Sequence, residues 1–136
     1  MEAVLSKTFQ NEDMSKLVLR VAVGFLMLFH GVAKITGGVG FLEGMFSSMG
    51  LPAFFAYGVY LGEVVAPIML IIGYKVRLAS ILVAGTMIVA IAMAHSGDIF
   101  TLTKHGAWAI ELLVFYILAS VAIFFQGAGK YSIDKN

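Results

Sequence analysis

The sequence predicts an all-α integral membrane protein, a bundle of four transmembrane helices. Three observations carry this. Hydrophobic residues make up 60% of the chain and charged residues only 12%, against about 25% charged in an ordinary soluble domain. Mean hydropathy is +0.96. Four separate apolar stretches are each long enough to cross a hydrocarbon core of about 30 Å, which needs roughly 20 helical residues. A soluble fold this apolar would expose larger greasy patches than monomers tolerate.

Within lipid every backbone polar group must be paired internally, so each stretch is read as a helix. The two-residue alternation of a barrel strand is absent. The 136 residues form a single transmembrane domain over 1–136. There are no cysteines, which excludes thiol redox chemistry and thiolate metal sites in this chain. A net charge of +1 leaves no nucleic-acid footprint.

The N-terminal "MEAVLSKTFQNEDMSK" is polar, with Asp13 or Ser15 placed to cap the first span, Leu17 to Ile35. This span is too long for a signal peptide, and no A-x-A-like cleavage site follows it. "TGGVGFLEGMFSSMGL", Thr36 to Leu51, sets Phe41, Leu42, Met45, Phe46 and Met49 at helical spacing, with Glu43, Ser47 and Ser48 between them. It reads as a short amphipathic helix lying on the membrane interface. Pro52 opens the second span, Ala53 to Gly73, where its missing N–H costs little. The third span is Leu78 to Ala94 and the fourth Ala107 to Phe125.

Orientation follows from the basic residues. Lys7, Lys16, Arg20, Lys75, Arg77, Lys130 and Lys135 fall on one side, and Lys34 and Lys104 on the other. The positive-inside rule then places both termini in the cytoplasm of a bacterial-type inner membrane.

The ionisable residues inside the spans are the most informative feature. His30 and Lys34 lie near the outer end of the first helix, and Glu63 lies near the middle of the second. His95 ends the third, and Glu111 sits about one turn into the fourth. A charge at mid-bilayer costs about 2.5–3.5 kcal/mol on insertion scales. These groups are therefore expected to converge in the outer half of the bundle and compensate one another. Lys34 can reach Glu63 or Glu111, with His30 one turn deeper on the same face.

Pro67 removes its bond to the carbonyl of Glu63, which predicts a kink beside the carboxylate. Tyr60 and Trp108, each one turn from a glutamate, are interfacial aromatics that can also donate to it. Gly24 and Gly31, one heptad apart, mark close helix packing. A charge network of this kind can equally be structural, fixing helix register without chemistry. Haem ligation by His30 and His95 is disfavoured, since Lys34 adjoins His30 and no other haem signal exists. No metal site is expected.

"RVAVGFLMLFHGVAKITGG" resembles the first helix of the DoxX family of small bacterial membrane proteins. "GLPAFFAYGVYLGEVVAPIMLIIGYKVRLAS" is similar to its second helix and the start of its third. "MAHSGDIF", "GAWAIELL" and "GAGKYSID" are similar to its later segments. The resemblance runs from about Arg20 to Asp134. It implies a four-helix membrane protein associated with quinone-linked oxidoreductase complexes, with His30, Lys34, Glu63 and Glu111 as the corresponding polar positions.

The favoured function is thus a subunit of, or partner to, a membrane redox system, whose polar cluster binds a quinone-like molecule or relays protons. The alternatives are a non-catalytic scaffold and, more weakly, a small-solute or proton transporter. The expected partners are the lipid bilayer, a membrane-associated oxidoreductase and a second copy of the chain. The expected cofactor, if any, is a quinone.

Overall fold

A computed structural model describes residues 1–134 and is all-helical apart from one isolated bridge. Lys135, one of the basic residues counted above, lies outside the described residues. Helix α1 spans Glu2–Phe9, α2 Glu12–Gly37 and α3 Gly40–Ser48. The next run begins as a 3-10 turn (Ala53–Gly58), passes through a π-helical turn (Leu61–Val65) and ends as α4 (Ala66–Ile72). Helix α5 spans Val76–Ala94 and α6 Glu111–Gln126.

Three of these runs are long and apolar enough to cross a membrane: Glu12–Gly37, Ala53–Ile72 and Val76–Ala94. Helix α6 is apolar over 16 residues. Its start differs from expectation. Residues 99–110 are held as a tight loop, with Ala109 N–H donating to the Thr101 carbonyl (2.9 Å) and Thr103 N–H to that of Ala107. Helical bonding therefore begins only at Glu111.

Helix α2 starts earlier than the apolar run suggests. Asn11 caps it, its side chain accepting from Met14 N–H at 2.9 Å, and Glu12 and Asp13 occupy the first turn. This first turn suits the positive end of the helix dipole. The expected caps do other work: Ser15 bonds the Glu12 carbonyl, and Asp13 accepts from Lys130 N–H.

The core is a set of helical seams. Val23 and Met27 of α2 meet Leu70 of α4, Val83 and Met87 of α5, and Tyr116 and Ile123 of α6. Spacings of four and seven residues put each pair on one helix face. The opposite faces carry exposed Phe25, Phe29, Ile81, Ile88, Phe115 and Leu118. In water such a girdle would drive aggregation, whereas in lipid it is solvated.

Glycines set how closely the helices approach. A Cβ on Gly31 would lie 2.0 Å from the Glu63 carbonyl oxygen. A Cβ on Gly24 would lie 2.6 Å from that of Pro67, and one on Gly62 would overlap the Thr86 hydroxyl at 1.8 Å. The heptad pair Gly24/Gly31 thus seats α2 against the second run, and Gly62 seats that run against α5.

Candidate functional site

Pro67 cannot donate to the carbonyl of Glu63, and the chain answers with the π turn directly before it. Ala66 N–H reaches back five residues to the Leu61 carbonyl. The freed Glu63 carbonyl faces Gly31, where the absent side chain leaves room.

This arrangement carries the Glu63 carboxylate into the interior, with only 5% of its side chain exposed. Lys34 meets it from α2. Its Nζ donates to Oε1 at 3.1 Å and stands 3.0 Å from Oε2. Tyr60 supports the lysine from behind, its hydroxyl donating to the Lys34 carbonyl at 3.0 Å rather than to Glu63. The inward-facing carboxylate has thus found its counter-ion, as the cost of an unpaired charge demands.

The ion pair forms part of the wall of a cavity of about 800 Å³. Most of the rest of the wall is apolar, from Phe41, Met45 and Phe46 of α3, Phe55, and Met87, Ala90 and Met93 of α5, with Thr86 adding a hydroxyl. His95 also lines the cavity, its Nδ1 3.2 Å from Asp98 Oδ2. Ligand sites of roughly 300–1,000 Å³ with apolar walls and few polar groups are the ordinary case for small molecules.

Other expected members stand apart. His30 is exposed on the protein surface, its ring edge-on to Tyr116 with centroids 6.0 Å apart. Gly31 fixes the rotation of α2, and at 3.6 residues per turn His30 points about 100° away from that contact. Glu111 is exposed as the first residue of α6, where its charge suits the helix N-terminus. Trp108 Nε1 donates to the Ile99 carbonyl at 2.6 Å, within the loop, and not to Glu111. The expected gathering of His30, Lys34, Glu63, His95 and Glu111 is thus reduced to one pair, Lys34–Glu63, with His95 also lining the cavity.

Sequence reasoning missed a second buried polar centre. Arg20, counted above only as a basic residue near the span's end, has no exposed surface. Its guanidinium donates to the carbonyls of Leu70 (2.6 Å), Tyr131 (2.6 Å), Ala128 (3.0 Å) and Ile71 (3.4 Å). These carbonyls end α4 or follow α6, where helix dipoles are negative. The same tail is strapped down further: Ile133 and Asp134 N–H donate to the Ile72 and Gly73 carbonyls at 3.2 Å, and the Asp134 carboxylate accepts from Lys75 N–H. Lys75 holds a left-handed backbone at φ 43° in this clasp. The signal available in the sequence was the glycine-broken "GAGKYSID", with Gly127 and Gly129 at positive φ turning the tail back.

The comparisons fit this architecture. A model of the DoxX family matches residues 15–96, more than half of the chain and the region that holds Arg20, Lys34 and Glu63. A Bacillus subtilis (strain 168) protein named "Putative oxidoreductase CatD" is 33% identical over 87 residues, 64% of this chain and 62% of that protein's length. An uncharacterized Haemophilus influenzae protein is 30% identical over 127 residues, 86% of each chain. No solved structure matches this chain. With three helices of membrane-crossing length and a family match that takes them in, the chain is an integral membrane protein and belongs to the DoxX family.

Proposed function

We infer that this chain is a single-domain subunit of, or partner to, a membrane redox system, and that its cavity binds the headgroup of a quinone-type small molecule. Four helices, α6 included, cross a bacterial inner membrane with both termini cytoplasmic. Helix α3 lies at the outer interface. The observation that carries this reading is the Lys34–Glu63 pair in the wall of a mostly apolar cavity of about 800 Å³. A charge pair meant only to lock helices needs no such space beside it.

The donor set suits a quinone-type head. Lys34 has three N–H donors and spends one on Glu63 Oε1. Its side chain is 30% exposed, so the remaining protons can reach a ligand oxygen. Ring and tail would pack on Phe46, Phe55, Met87 and Met93, the soft apolar contacts such a ligand needs. The bound group would supply the electron-carrying chemistry, with an oxidoreductase partner as donor or acceptor. This chain's own residues orient the head and hold protons beside it. The name of the Bacillus relative points the same way.

A scaffold role is the second reading. It is favoured by the self-neutralising pair and the tight seat of Glu63 on Gly31. Binding of a short-tailed quinone and its hydroquinone to the purified chain in nanodiscs separates the two. The cavity reading expects saturable binding of at least one form, lost in Gly85→Leu, which fills the cavity from a position with nothing within 4 Å of its absent side chain. Absence of saturable binding by both forms would leave the scaffold reading standing.

A further inference from the structure

The cavity beside Lys34–Glu63 follows one helix for most of its length. Helix α5 lines it with Ile81, Leu82, Gly85, Thr86, Val89 and Met93. Steps of three and four residues keep these on one helix face. From Ile81 to Met93 the stripe runs about 18 Å along the axis, at 1.5 Å per residue. Gly85 stands in its middle, with nothing within 4 Å of its absent side chain. Within the stripe Thr86 carries the polar group. A Cβ on Gly62 would overlap its hydroxyl, so the next residue, Glu63, enters at that level.

The wall is not closed. Ile81 is 53% exposed, Val89 49%, and Leu61 of the second run 52%, although all three line the cavity. Side chains about half exposed mark a rim and not an enclosed wall. Ile81 lies five residues after the start of Val76–Ala94, and Val89 five residues before its end. Each is therefore about 7.5 Å inside the helix ends. The 19 residues of this helix span about 29 Å, close to a hydrocarbon core of about 30 Å. The rim thus lies at hydrocarbon depth, where the surrounding medium is acyl chains.

We propose that the cavity is a groove open sideways to the bilayer, and that its ligand is an amphiphile with a hydrocarbon chain that enters from the lipid past Ile81, Val89 and Leu61. The polar head stops at Lys34–Glu63 and the chain lies along α5. A chain moving from lipid into this groove exchanges one apolar contact for another, so the charged pair supplies the selectivity. This inference rests on the cavity reading above and adds the ligand's class and its route.

The chain has no cysteine, so a single nitroxide can be placed in the groove at Gly85→Cys. In nanodiscs, its relaxation by oxygen, which concentrates in hydrocarbon, is compared with that by a water-soluble nickel chelate. Ile88→Cys, on the exposed apolar face of α5, and Ser48→Cys, exposed at the end of α3, serve as references. The expected result is oxygen relaxation of the groove label close to that at Ile88→Cys and several-fold above its relaxation by the chelate. Chelate relaxation equal to or above that by oxygen would mean a cavity open to water and would overturn the proposal. A label shielded from both would mean an enclosed cavity and would overturn it equally. Ala90→Cys, also on the wall, repeats the measurement if Gly85→Cys fails to fold. No ligand is added, so a failure here leaves the nanodisc binding experiment to judge the cavity reading on its own.

Discussion

Gly31→Ala is the sharpest single test of how this fold is assembled. The added Cβ would sit 2.0 Å from the Glu63 carbonyl oxygen and 2.7 Å from both its carbonyl carbon and Val64 Cγ2. Two of those atoms are backbone, so no rotamer change relieves the overlap. Helix α2 must move away from the π turn by about an ångström or more to reach ordinary van der Waals separation. Overpacking usually costs about 1–3 kcal/mol, and a backbone obstacle argues for the upper end. Alanine offsets about 1 kcal/mol of that through its better helix propensity.

A net loss of about 2 kcal/mol is expected, roughly 8 °C in Tm for a chain of this size. Gly85→Ala is the matched control, because nothing lies within 4 Å of its added carbon. It is expected to be neutral or to gain up to about 1 kcal/mol. Thermal unfolding of the detergent-solubilised protein measures both. If Gly31→Ala unfolded at or above the temperature of Gly85→Ala, α2 would not be seated on Glu63 as described.

Three further outcomes follow from the same contacts. Lys34→Met strands a buried carboxylate and should cost about 2–3 kcal/mol, somewhat below a fully buried pair because Lys34 is partly exposed. Lys34→Met with Glu63→Leu should regain most of it, and a double-mutant cycle in thermal stability that came out additive would refute the pairing. Arg20→Met removes the donors that hold the Ala128 and Tyr131 carbonyls, so the 127–134 tail should become protease-sensitive while α2–α5 stay folded. An unchanged digestion pattern counts against the clasp. Because the chain has no cysteine, single substitutions report topology cleanly. Ser48→Cys should react with an impermeant maleimide in intact cells, and Ser6→Cys only after permeabilisation; the reverse pattern would invert the proposed orientation.

The helical architecture was legible because lipid imposes it: an apolar run of sufficient length has few options besides a helix. Pro67 announced a break at Glu63, since proline chemistry is local. Gly24 and Gly31 announced a close helix contact for the same reason. The membership of the polar site was only partly legible. Depth along each helix placed His30, Lys34, Glu63, His95 and Glu111 at similar levels, but depth says nothing of rotation about the axis. Glu111 was also misplaced by the loop ahead of it, whose bonding delays the start of α6. Arg20 looked like one more cytoplasmic charge because its acceptors are backbone carbonyls, which no side-chain pattern reveals.

By itself, then, the sequence determined the solvent of this protein, its helical class and the need for Lys34 to meet an acid. These follow from composition, chain length and the cost of a lone charge in hydrocarbon. Only the tertiary structure decided which acid it meets, that an apolar cavity opens beside them, and that Arg20 clasps the tail. Those outcomes depend on the rotation and spacing of packed helices, which are set by contacts such as Gly31 on Glu63 between residues far apart in the chain.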